Sequence, residues 1–225
     1  MLLSVYCLII FGKHFQSMEI LVNSISCVKN NNIIFDNVNI VINDGDIWLI
    51  TGPNGCGKTT FVRSLCGIQN LESGEILLDK TDINSTSSEF KDKLIYIGHK
   101  NSLNTNFTVR ENLEYLCAFD NSVNLNKSEI INKAMKYFDI LKYENYMVSD
   151  LSEGNKKKTS LARLYISNKK LWILDEPLNN LDIKSIELFL NLISSHQKNG
   201  GITISSSHYN FLKNIENIKY LEMEN

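Results

Sequence analysis

The sequence predicts an α/β fold, a sheet with helices on its faces, and three observations carry that prediction. Short apolar runs at 47–50, 94–97 and 171–174 have strand length and, with a further strand at 202–205, alternate with helical patterns. A glycine loop, Gly52-Pro53-Asn54-Gly55-Cys56-Gly57-Lys58-Thr59-Thr60, separates the first of these runs from a helix. The third run ends on two carboxylates, Asp175 and Glu176.

Taken in order, the chain opens on an apolar stretch, residues 1–11, that is too short to span a bilayer and lacks a basic flank. Residues 1–17 therefore read as an extension ahead of a start at Met18, with one domain filling 18–225. Short alternating runs fill 19–46, punctuated by Asn30-Asn31-Asn32 and Asn43-Asp44-Gly45, the turn chemistry of an antiparallel β subdomain. The helix after the glycine loop ends at Gly67, and Ser73-Gly74 turns the chain into a strand at 75–79. A polar stretch at 81–93 follows. Residues 99–165 change character and predict a helical subdomain, with Thr108 capping one helix and Ser128 capping another over 128–141. Alternation then resumes with a strand at 171–174, a helix over Ile183–Lys198 and a strand at 202–205.

The bulk numbers narrow the function classes. A chain of 225 residues suits one domain with an inserted subdomain. A formal net charge of -2 supplies no electrostatic footprint for nucleic acid, so no nucleic-acid partner is expected. Five cysteines, an odd number without metal spacing, point to a reducing compartment. Any membrane span has to come from another chain.

The glycine loop fits G-x-x-x-x-G-K-[ST], and its physics is that of a phosphate cradle. Backbone N–H groups and a helix dipole converge on one spot, and the glycines let a phosphate approach the backbone. Gly52, Pro53, Asn54, Gly55, Cys56 and Gly57 form the cradle, while Lys58, Thr59 and Thr60 open the helix. Lys58 reaches the β- and γ-phosphates, and the Thr59 hydroxyl is offered to Mg²⁺. A buried strand ending at Asp175 and Glu176 brings acid to the phosphate side. Asp175 suits the Mg²⁺, and Glu176 suits the orientation and deprotonation of an attacking water.

Further segments make the chain resemble the ATP-binding cassette (ABC) ATPases. Leu151-Ser152-Glu153-Gly154-Asn155, followed by Leu161-Ala162-Arg163, resembles their signature motif, with Glu153 in place of a glycine and Asn155 in place of a glutamine. Ile204-Ser205-Ser206-Ser207-His208 resembles their switch histidine, and Asn180-Leu181-Asp182 the loop whose aspartate crosses the dimer interface. The resemblance implies a P-loop NTPase with a RecA-like core, an antiparallel β subdomain and a helical subdomain. It implies ATP and Mg²⁺ as ligands and a head-to-tail dimer with ATP sandwiched between two copies. Lys58, Thr59 and Asp175 of one copy would face Ser152 and Gly154 of the other. Glu176 and His208 would serve the attacking water.

Within that family, Tyr96-Ile97-Gly98-His99 and the run from Leu161 through Ser167 resemble the ATP-binding subunit of cytochrome c maturation (haem exporter) systems. Cys27-Val28-Lys29, without an aromatic residue to stack on adenine, is similar to that group as well. The expected arginines are Lys156, Lys157 and Lys158, which keep charge but lose the planar fork. His99 stands where the family carries a glutamine that senses Mg²⁺ and the membrane partner, or is a satisfied strand-end histidine. The implied setting is the cytoplasmic face of the inner membrane, peripheral, on integral membrane subunits. Another ABC transporter's ATPase, a non-transport cassette ATPase and a binding module that scarcely hydrolyses remain as alternatives.

Overall fold

A computed structural model describes residues 16–85, 87–119, 127–207, 215 and 217–224. The extension expected at 1–17 therefore lies almost wholly outside the described residues, as does His208. The chain divides into two compact units, one of residues 1–96, 170–175 and 193–225, the other of 97–169 and 176–192.

The first unit carries two sheets. The antiparallel sheet has the order β2-β1-β4-β5, from β1 (Ile20–Lys29), β2 (Asn32–Ile42), β4 (Ser73–Leu78) and β5 (Thr81–Asp82). β1 and β2 form a hairpin in which Lys29 pairs with Asn32 across a two-residue turn. Asn30 and Asn31 both hold positive φ, 50° and 62°, the backbone a type I′ turn demands and asparagine tolerates. The second sheet has the order β6-β7-β8-β3-β9. Its strands are β3 (Ile47–Thr51), β6 (Leu94–Ile97), β7 (Leu171–Asp175), β8 (Ile202–Ser206) and β9 (Ile218–Glu222). The β7–β8, β8–β3 and β3–β9 pairs are parallel. Both β7 and β8 are buried at every position, and β7 accordingly reads as an apolar run, Leu171-Trp172-Ile173-Leu174, without alternation, whereas β8 buries polar residues as well, Thr203, Ser205 and Ser206. β9 was not legible as a strand, because it lies on the sheet edge and is mostly exposed.

Helix α1 (Lys58–Leu65) follows β3, and Gly67 with φ 66° takes the left-handed turn after it. The polar stretch at 81–93 contains β5 and a short helix, α2 (Ser87–Lys93). A mixed apolar core of Val22, Ile42, Ile50, Phe61, Ile76, Ile173 and Ile204 fills this unit.

The second unit is built of helices α3 (Val109–Phe119), α4 (Lys127–Tyr137), α5 (Glu153–Ile166) and the first part of α6 (Ile183–Lys198). Thr108 and Glu111 form a reciprocal capping box at the start of α3, as the sequence predicts. Ser128 is not a cap: α4 begins one residue earlier and takes it into the first turn. Arg110 ties the helices together through Glu144 (2.5 Å) and Asn132 (2.5 Å).

Candidate functional site

The glycine loop sits between β3 and α1, where the sequence places it. Gly52 adopts φ 144° and Gly57 φ 100°, and both are needed for space as well as for backbone freedom. A Cβ on Gly52 would lie 2.2 Å from the Met223 carbonyl oxygen, and one on Gly57 2.4 Å from Cγ2 of Ile34. The first intrahelical bond runs from Phe61 N–H to Gly57 O (2.9 Å). The N–H groups of Lys58, Thr59 and Thr60 therefore precede the helix's own hydrogen-bond ladder, the arrangement that suits an anion. Lys58 is buried and its Nζ donates to the carbonyls of Gly52 (2.8 Å) and Pro53 (2.7 Å), within the loop it is to serve. Gly55 at φ 88° completes the turn, and Cys56 packs with its Sγ 3.9 Å from Lys58 Nζ.

On the other side of the same unit, β7 delivers Asp175. This carboxylate is fully buried. Its Oδ1 accepts from the hydroxyls of Thr59 (3.1 Å) and Ser206 (2.7 Å), while its Oδ2 has no hydrogen-bond partner among the described residues. A buried ionised oxygen left alone is costly, and a cation resolves that cost. A carboxylate flanked by two hydroxyls is also an all-oxygen donor set, the kind Mg²⁺ prefers. The residues present fit Mg²⁺, which Asp175 and Thr59 would hold. Ser206 was not singled out from sequence. Its signal was there, a hydroxyl at the last position of the strand beside β7.

The second unit holds the remaining described residues of the predicted site. Glu176 takes positive φ, 50°, immediately after β7, and its Oε2 accepts from Asn179 Nδ2 at 2.7 Å. His99 Nδ1 lies 3.4 Å from the same Oε2. Ser152 caps α5, its Oγ accepting from Asn155 N–H (3.3 Å). Gly154 follows in the first turn, and a Cβ there would approach the Asn180 carbonyl to 2.8 Å. Glu153 turns to Lys156, 2.9 Å away, and stays largely exposed. Asp182 caps α6 through Ser185 N–H (2.8 Å) and pairs with Lys158 Nζ at 2.6 Å. The hydrogen bond from Lys158, with two more from Ser185, pulls the Asp182 carboxyl down to about 2.

The comparisons agree with this geometry. Residues 35–179 match the family model for the ABC transporter. The chain belongs to the ABC transporter family and carries its ATP-binding domain, that of an ABC ATPase. Among curated proteins it is similar to the cytochrome c biogenesis ATP-binding export protein CcmA of Photobacterium profundum, 30% identical over 90% of this chain and 98% of the relative. It is 37% identical to the protein of that name from Wolbachia pipientis, over 82% of this chain and 87% of the relative. Of solved structures, a dimeric ATP-binding cassette, MJ0796, bound to ADP and Pi superposes with a TM-score of 0.79. It shares 21% identity, over 91% of this chain and 96% of the other, and so speaks for the fold alone.

Proposed function

We propose that this chain is the ATP-hydrolysing subunit of a transporter that serves c-type cytochrome assembly by moving haem outward. The observation that carries the hydrolytic part is Asp175, a buried carboxylate with one oxygen held by Thr59 and Ser206 and the other unpartnered beside the phosphate loop. The cargo reading is supported by the CcmA relatives, which cover most of this chain and of their own length.

In this reading the cradle N–H groups and Lys58 bind the β- and γ-phosphates of ATP. Thr59 and Asp175 would hold Mg²⁺, which when bound would neutralise charge developing on the phosphates. Glu176 orients the attacking water and takes its proton. Asn179 and His99 both touch Oε2 of Glu176 and hold the carboxylate in one rotamer. That is a better task for the imidazole of His99 than ligating Mg²⁺, which takes oxygen donors. His208 keeps the role its sequence position implies, a contact to the γ-phosphate. Ser152 and Gly154 serve the ATP held by a second copy, in a head-to-tail dimer, with Asp182 near that interface.

No helix among the described residues is long and apolar enough to cross a membrane. In this reading integral membrane subunits supply the path, as membership of the ABC transporter family implies. The helical unit offers a face for them. Around the Thr108–Met147 bridge, Tyr115 and Tyr146 are each 54% exposed, and Phe107 packs edge-on against Tyr115. Exposed aromatics gathered in one place mark interaction surfaces. A peripheral position on the cytoplasmic face of the inner membrane follows. The test is capture of the tagged protein from detergent-solubilised membranes, with partners identified by mass spectrometry. Multispanning subunits with haem-handling proteins are expected. Permease subunits of another transporter would overturn the cargo and leave the chemistry standing.

A further inference from the structure

Lys29 is the last residue of β1, and its Nζ lies 3.2 Å from the hydroxyl of Thr60. It thus sets an ammonium, in addition to that of Lys58, at the first turn of α1. That is the wrong end of a helix for a cation, because the N-terminus already carries a partial positive charge. The first turn of α1 contains no acidic residue to offset it, and the nearby carboxylate, Asp175, is engaged from the Thr59 side. The hairpin does not let Lys29 drift. Its type I′ turn begins at the next residue, Ile34 packs on Gly57, and Phe35 meets Phe61 edge-on at 5.4 Å. A cation fixed against a positive helix end is an arrangement that an anion stabilises.

We infer that Lys29 is a nucleotide-binding residue that contacts the phosphate nearest the nucleoside. Thr59 contacts Asp175, with which it would hold Mg²⁺, and that ion would neutralise charge on the outer phosphates. Thr60 is the next residue, about 100° further round the helix, so the cation it holds serves a different phosphate. The inference rests on the nucleotide reading above and adds a ligand that lies outside the glycine loop, on the antiparallel sheet.

The test is calorimetric binding of MgATP, MgADP and magnesium tripolyphosphate to the full chain and to its Lys29→Met and Lys29→Arg variants. Lys29→Met weakens all three ligands alike, by about tenfold, as expected for one lost charge-assisted hydrogen bond. Lys29→Arg retains most of the affinity. Equal binding by the wild type and Lys29→Met would overturn the inference. So would a loss confined to ATP, which would mark a γ-phosphate contact, or one that spares tripolyphosphate, which would mark a contact to the base. A wild-type chain that bound none of the three would overturn the nucleotide reading itself. Circular dichroism of each variant checks that the hairpin is intact.

Discussion

Thr59 and Asp175, 116 residues apart in the chain, meet at 3.1 Å, hydroxyl to carboxylate. β3 and β7 each pair with β8, so the end of one strand and the helix after the other converge on this point. Ser206, at the end of β8 itself, donates to the same carboxylate oxygen. The sheet topology brings together the residues that would hold the metal.

Asp175→Asn tests that pairing. The substitution keeps the shape and removes the charge from a fully buried group. Affinity for MgATP falls by about tenfold, the loss of a charge-assisted contact, while binding of ATP in EDTA changes little. Titration calorimetry with and without Mg²⁺ separates the two, and equal losses would argue against a metal role.

Gly154→Ala puts a methyl group 2.8 Å from the Asn180 carbonyl. Backbone cannot give way as a flexible side chain does, so a cost of about 1–3 kcal/mol is expected. Thermal unfolding should show a lowered midpoint, and ATP turnover should fall because Ser152 and the 179–182 turn shift together.

His196 makes stability depend on pH. It is fully buried, stacked on Trp172 with ring centroids 3.7 Å apart, and its Nε2 lies 2.9 Å from Lys170 O. Burial pushes the imidazole down to about 3, and backbone contacts to Lys170 and Ile202 oppose this only in part. The folded value is below the unfolded one, so the unfolded chain binds the extra proton between them. Stability therefore falls as pH drops from about 6.5 toward 3, with a slope of up to ~1.4 kcal/mol per pH unit from this group. Denaturant midpoints measured across that window should flatten in His196→Phe, which keeps an aromatic ring against Trp172.

The Lys158–Asp182 pair has a direct spectroscopic readout. Carbon-detected NMR of the Asp182 carboxyl should give a midpoint near 2, returning toward 3.8 in Lys158→Met. The depressed value means that the pair's contribution is present above the ordinary carboxylate range and is lost as pH falls through the folded value. An unchanged midpoint in Lys158→Met would assign the shift to the Ser185 cap instead.

Much of this fold is legible from residues alone. The glycine loop needs its spacing and flanks, and β7 needs only an unbroken apolar run of strand length. The type I′ turn is announced by consecutive asparagines. What sequence cannot give is the third dimension of side chains that meet from distant segments. In the sequence Lys29 belongs to a segment marked only by its lack of an aromatic residue, and it is the fold of the hairpin that sets it on Thr60. Ser206 is one of three consecutive serines, and only the register of β8 against β7 selects it for Asp175. Asp182 reads as a loop residue, yet it serves both as the cap of α6 and as the partner of Lys158. His99 meets Glu176, 77 positions away, at 3.4 Å because each follows the end of one of two neighbouring strands, β6 and β7.

The most direct test of the account is steady-state phosphate release by the wild type and by Glu176→Gln, with MgATP affinity measured in parallel. Glutamine keeps the size of the side chain and its contact to Asn179 but cannot accept the water's proton. Removing a general base of this kind costs about 10²–10⁴-fold in rate. The account predicts that Glu176→Gln binds MgATP as the wild type does and releases phosphate at least about a hundredfold more slowly. Turnover by Glu176→Gln at the wild-type rate would contradict it.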